Sequence, residues 1–130
     1  MNGSPTDSAA GHRRVVLTFS LVGGESCTLS GYPSVDSGSG GPTIHADTTP
    51  RGYMGGLPAG VDDPPSVILS VSTQAQAIVE GTATDSSGSP CPSYTDLRVS
   101  PPAINFAFTV PATIEACQLQ VHPVTAGTPG

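Results

Sequence analysis

Apolar residues in this chain come in short alternating runs, and each run is cut off by glycine or proline; this spacing limits the possible folds more than any other feature. Residues 13–22 (RRVVLTFSLV) place Val15, Leu17, Phe19 and Leu21 on one face at a period of two, and Gly23-Gly24 ends the run. Residues 104–110 repeat the device with Ile104, Phe106, Phe108 and Val110. Further strands are expected over 27–30, 66–71, 74–84, 94–100 and 117–122, with short ones over 43–46 and near Tyr53. The segment 74–84 has some helix propensity. Ala75, Ala77 and Val79 nevertheless alternate with Gln74, Gln76 and Glu80, which favours a strand. Nowhere is a helical period convincing. About eight short strands with frequent turn signals predict an all-β, immunoglobulin-like antiparallel β-sandwich.

With 130 residues there is enough chain for one domain, expected over 13–127, with a flexible leader at 1–12 and a tail at 128–130. Sixteen glycines and fourteen prolines fill the connections, while charged residues are only 11% of the chain. Prolines at 101, 102 and 123 stop strands, because proline donates nothing to a ladder. The stretches 36–41 and 85–90 are read as loops, and 47–65 as a long connection rich in proline, glycine and aspartate.

Charge excludes one class of partner. There is no lysine, the cations are Arg13, Arg14, Arg51 and Arg98, and the net charge is -6. Nucleic-acid affinity scales with the number of phosphates neutralised, so no nucleic-acid partner is expected. No apolar run is long enough to span a bilayer, so no transmembrane segment is expected in this chain. The polar start lacks a signal-peptide core, which leaves either a cytosolic protein or one whose targeting segment or lipid anchor has been removed.

The cysteines help to choose. Cys27-Thr28-Leu29-Ser30-Gly31-Tyr32-Pro33 and Cys117-Gln118-Leu119-Gln120-Val121-His122-Pro123 are two forms of one phrase, and a looser third runs from Cys91 to Pro101. Cysteine and leucine two apart share a strand face, which puts sulfur on the core side, where a disulfide across strands or sheets becomes feasible. Cys91 with Cys117 is the expected pair, since the two flank the strands at 94–100 and 104–110; closing that loop contributes about 3 kcal/mol. Cys27 is then alone or pairs outside this chain. Three buried free thiols are the alternative, and no Cys-x-x-Cys or His-x-x-x-His spacing suggests zinc.

Three phrases, Cys27 to Val35, Cys91 with Leu97-Arg98-Val99-Ser100-Pro101-Pro102, and Cys117 to Val124, together resemble the domain of unknown function 4232 of actinobacterial secreted proteins and lipoproteins. The resemblance spans roughly 13–127. It implies an extracytoplasmic location, secreted or lipid-anchored at the cell envelope, an immunoglobulin-like sandwich and no assigned activity. The chain departs from the family in lacking a cysteine near the domain start, and in having Val22-Gly23-Gly24 where a Thr-Asn pair is common.

No residue pattern announces catalysis, and neither catalytic residue, metal site nor cofactor is expected. His12, His45 and His122 are distant in sequence and read as surface residues, as do Glu25, Glu80 and Glu115. Gly-x-Ser-x-Gly is absent, 36–41 and 62–63 lack calcium-loop spacing, and the glycines at 38–41 do not open a helix after a strand. Tyr32 is expected to plug one end of the core with its hydroxyl on backbone. The function expected is a non-catalytic binding or structural module, monomeric, with an envelope protein, lipid or glycan as partner. Its contact surface is placed in the 47–65 loop at Arg51, Tyr53, Met54 and Leu57. The alternatives are a carrier of lipid or glycan between the sheets, or an enzyme whose site would combine His45 or His122 with a carboxylate.

Overall fold

The computed structural model describes residues 2–3, 7–9, 12–19, 27–50, 57, 60, 63, 65–69, 74–85, 87–100 and 108–126. All the regular structure among them is β. In chain order the strands are β1 (Asn2–Gly3), β2 (Asp7–Ala9), β3 (His12–Phe19), β4 (Cys27–Ser30), β5 (Ser34–Ser37), β6 (Asp47–Thr48), β7 (Ser66–Leu69), β8 (Ala75–Thr82), β9 (Ser93–Ser100), β10 (Phe108–Glu115), β11 (Leu119–Val121) and β12 (Thr125–Ala126). They form a β-sandwich. One sheet runs β1-β3-β8-β11-β6, with β2 also on β3 and β12 also on β8; a three-stranded sheet runs β10-β9-β5, and β4 pairs with β7.

The large sheet is built on the alternation read from the sequence. β3 and β8 pair antiparallel over their full length, setting Phe19 against Ala75, Leu17 against Ala77 and Val15 against Val79. All six are buried. Phe19 and Leu17 each meet an alanine on the next strand, which helps to keep the core face level for the opposing sheet. That sheet supplies Val35, Tyr94, Leu97, Val99, Val110 and Ile114, also buried. Each such side chain contributes about 1.5–3 kcal/mol by leaving water. Tyr94 is the phenol whose hydroxyl reaches backbone, donating to the Pro42 carbonyl at 2.6 Å, while Tyr32 is half-buried.

Several elements differ from expectation. Asn2–Gly3 and Asp7–Ala9, inside the stretch expected as a leader, pair with β3. Ser34–Ser37 is a strand where a loop was expected from 36 onward. Its backbone closes a hairpin with the next segment: Ser37 N–H donates to Ile44 O, Ala46 N–H donates to Val35 O, and Asp36 bridges His45. The final strand of the three-stranded sheet is Phe108–Glu115 and runs through Pro111; residues 104–107, expected to start it, lie outside the described residues. The ladder tolerates the proline through a register shift between Pro111 and Ile114. Phe108, expected as core, is 40% exposed. β6 pairs parallel with β11, an exception to the antiparallel pattern.

Cys91 and Cys117 are joined by a disulfide, with their Cα atoms 5.1 Å apart. Cys91 N–H donates to Ala83 O just beyond β8, and Ala116 N–H donates to Pro92 O. The bond therefore joins the two places where the chain passes between the large sheet and the three-stranded one, β8 to β9 and β10 to β11. Cys27 lies opposite Leu69 in the β4–β7 ladder.

Candidate functional site

Strands bury alternate residues, so the other set of β5, β9 and β10 side chains faces away from the core. Register puts Asp36 beside Arg98 and Arg98 beside Thr109, one row across all three strands. The turn from Gly38 to Thr43 then folds along this face. Together Asp36, Ser37, Gly38, Ser39, Thr43, Asp96, Arg98 and Thr109 line a cleft of about 360 Å³, at the lower end of the roughly 300–1,000 Å³ usual for ligand sites.

Glycine makes this arrangement possible. Gly40 has φ +132°, and a Cβ there would lie 2.2 Å from Ser93 O; at Gly38 it would lie 1.6 Å from the Asp96 carboxylate. Only bare backbone fits so close to β9. Gly38 N–H donates to Asp96 O, Ser39 N–H donates to the Asp96 carboxylate at 2.7 Å, and Thr95 N–H donates to Ser39 O. The buried Ser37 hydroxyl accepts from Ile44 N–H and donates to Pro42 O. The glycine run expected to pack little is thus pinned at several points.

Around the cleft the charges are already engaged, with one exception. Asp36 Oδ1 lies 2.5 Å from His45 Nδ1, and Asp96 holds the Ser39 amide. Arg98 is exposed, and among the described residues its side chain makes no hydrogen bond or ion pair. Arg13, by contrast, pairs with Glu115 at 3.1 Å on a half-buried surface.

A second constellation lies on the outer face of the large sheet and corrects two sequence readings. His122 and Glu80 are not surface residues: they are 1% and 4% exposed, and His122 Nε2 is hydrogen-bonded to Glu80 Oε2. Alternation does turn both away from the core, but that face is not solvent here. After β6 the chain runs alongside β11, where Thr49 N–H donates to Val121 O and both Thr49 O and Oγ1 lie 3.0 Å from His122 Nδ1. The Thr49 carbonyl can only accept, so Nδ1 carries a proton when it bonds there. Nothing in the spacing of Glu80 and His122 announces the pair; the phrase ending in His122-Pro123 was the available signal.

Leu57 is buried, and its amide donates to Pro50 O. Arg51, Tyr53 and Met54 lie outside the described residues, as do Glu25 and Asp62. His12 is half-buried at the start of β3. Among the described residues no three His, Cys, Asp or Glu side chains come together as a metal cluster, and no helix is long and apolar enough to cross a membrane.

These features define a disulfide-linked β-sandwich with a polar cleft on the exposed face of its smaller sheet. The family described as a domain of unknown function (DUF4232) matches residues 2–127, and the chain belongs to it. No curated protein and no solved structure matches the chain.

Proposed function

We propose that this chain is a non-catalytic binding module of the cell envelope, of the secreted or lipid-anchored actinobacterial kind, and that its ligand contact is the cleft at Asp36, Arg98 and Thr109. The observation that carries the reading is the Arg98 guanidinium, without a partner among the described residues, in a polar cleft whose walls are fixed by backbone hydrogen bonds. A rigid scaffold presenting polar groups on a turn is how such folds bind. The Cys91–Cys117 bond supports a location outside the cytoplasm, because disulfides persist in oxidising compartments.

A lipid carried between the sheets finds less support, since side chains from both sheets are buried against one another there. The Asp36–His45 pair favours a second reading, an acid–base site. Against it, His45 is 67% exposed, so the pair is not enclosed in a site that excludes water. The test is affinity capture from native envelope extract with disulfide-intact protein, comparing wild type with Arg98→Gln. Enrichment of a protein, lipid or glycan that the substitution abolishes is the expected result. Enrichment indifferent to Arg98, or none at all, removes the cleft as the contact.

A further inference from the structure

We infer that the cleft recognises a carboxylated sugar, with Arg98 holding the carboxylate and the flanking acids and hydroxyls holding ring hydroxyls. The inference rests on the binding-module reading and narrows it to a ligand class.

The argument begins with what the cleft lacks. Among the described residues that line it, none is aromatic or aliphatic beyond the methyl groups of Thr43 and Thr109. A peptide carboxy terminus is usually recognised together with an apolar pocket for a side chain, and nothing in the lining provides one. A lipid is excluded by the same polarity. What the cleft offers is a mixture of strong donors and strong acceptors. Asp36 and Asp96 each use one interaction on a neighbour and, with about four lone-pair sites per carboxylate, retain acceptor capacity. Ser39, Thr43 and Thr109 carry hydroxyls that donate or accept. A sugar ring, whose hydroxyls also both donate and accept, matches that mixture.

Arg98 adds the acidic group. A guanidinium has five donors in a planar fork suited to a carboxylate, and among the described residues none of them is used. Its neighbours do not compete for it. Asp36, its partner in the ladder, is turned to His45, and Asp96 is turned to the Ser39 amide. Net charge sets the other limit. At -6 the whole molecule repels densely anionic polymers, so the ligand carries isolated carboxylates rather than a run of phosphates. The volume of about 360 Å³ suits a short stretch of sugar and not an extended chain.

The test uses the intact, disulfide-bonded chain and two probes that differ only at one carbon, methyl β-D-glucuronide and methyl β-D-glucoside. Binding is read from amide NMR shifts of Ser39, Arg98 and Thr109. The glucuronide is expected to shift these signals and to bind about tenfold or more tightly than the glucoside, with the advantage shrinking as salt rises. Arg98→Gln is expected to erase that advantage and Arg98→Lys to retain part of it, both variants keeping the wild-type melting temperature because the site is exposed. Equal binding of the two sugars, or a glucuronide preference that survives Arg98→Gln, overturns the inference while leaving the binding module standing. Acetyl-alanyl-alanine matching the glucuronide overturns the sugar and assigns the cleft to peptide carboxylates. Silence from all three probes overturns it too; the extract capture then decides separately whether the module reading survives.

Discussion

Replacing His122 and Glu80 one at a time is expected to produce unequal losses of stability, and the inequality follows from which group is left behind. In His122→Leu the Glu80 carboxylate, 4% exposed, loses its imidazole partner. Removing one member of a buried ion pair costs about 3–5 kcal/mol. In Glu80→Leu the group left behind is an imidazole that keeps its bond to Thr49 O. One unsatisfied ring nitrogen costs about 1–3 kcal/mol. The double variant leaves no orphaned charge and is expected within about 1 kcal/mol of wild type, since apolar replacement of a buried pair is often neutral or stabilising. Urea unfolding followed by circular dichroism, with the disulfide intact, measures all three; for a chain of this size His122→Leu should lower the melting temperature by roughly 10 °C. If Glu80→Leu proves the more damaging, or the double variant loses the sum of the single effects, the pair is not held together by charge and the reasoning fails.

Other predictions come from single contacts. Reducing Cys91–Cys117, or replacing both by alanine, should cost about 3 kcal/mol in the same assay, with the loop closed by the bond setting the size. Gly40→Ala should lose roughly 1–3 kcal/mol through its positive φ and the approach of Ser93 O, and should weaken ligand capture with it. Asp85 has its carboxyl held below the ordinary aspartate value, first by the Ser87 hydroxyl and then by the Ser89 and Ser87 amides. Because that value is depressed on folding, its stabilisation of the 85–89 turn is present above the unfolded value and is lost as pH falls through the folded one. Carboxyl NMR titration should show this, and Ser87→Ala should move Asp85 back up.

The large sheet was legible because its chemistry is periodic. Residues 15, 17 and 19, and 75, 77 and 79, alternate with polar neighbours, and that rhythm alone forces a strand whose face is buried. β5 was missed because Ser34-Val35-Asp36-Ser37 has a single apolar core residue, and what makes it a strand is pairing with β9. The cleft lay unseen for a related reason. Asp36, Arg98 and Thr109 are far apart in sequence, and only the register of three strands puts them in one row. His122 reads as a surface residue from the sequence, yet it is buried. Alternation tells which side of a sheet a residue faces, whereas what covers that side depends on the path of the chain after β6.

The first and last strands, β1 and β12, both belong to the large sheet, one on β3 and the other on β8, and β3 and β8 are themselves neighbours. Tension applied across them is therefore carried along three consecutive ladders, β1–β3, β3–β8 and β8–β12, all within the large sheet.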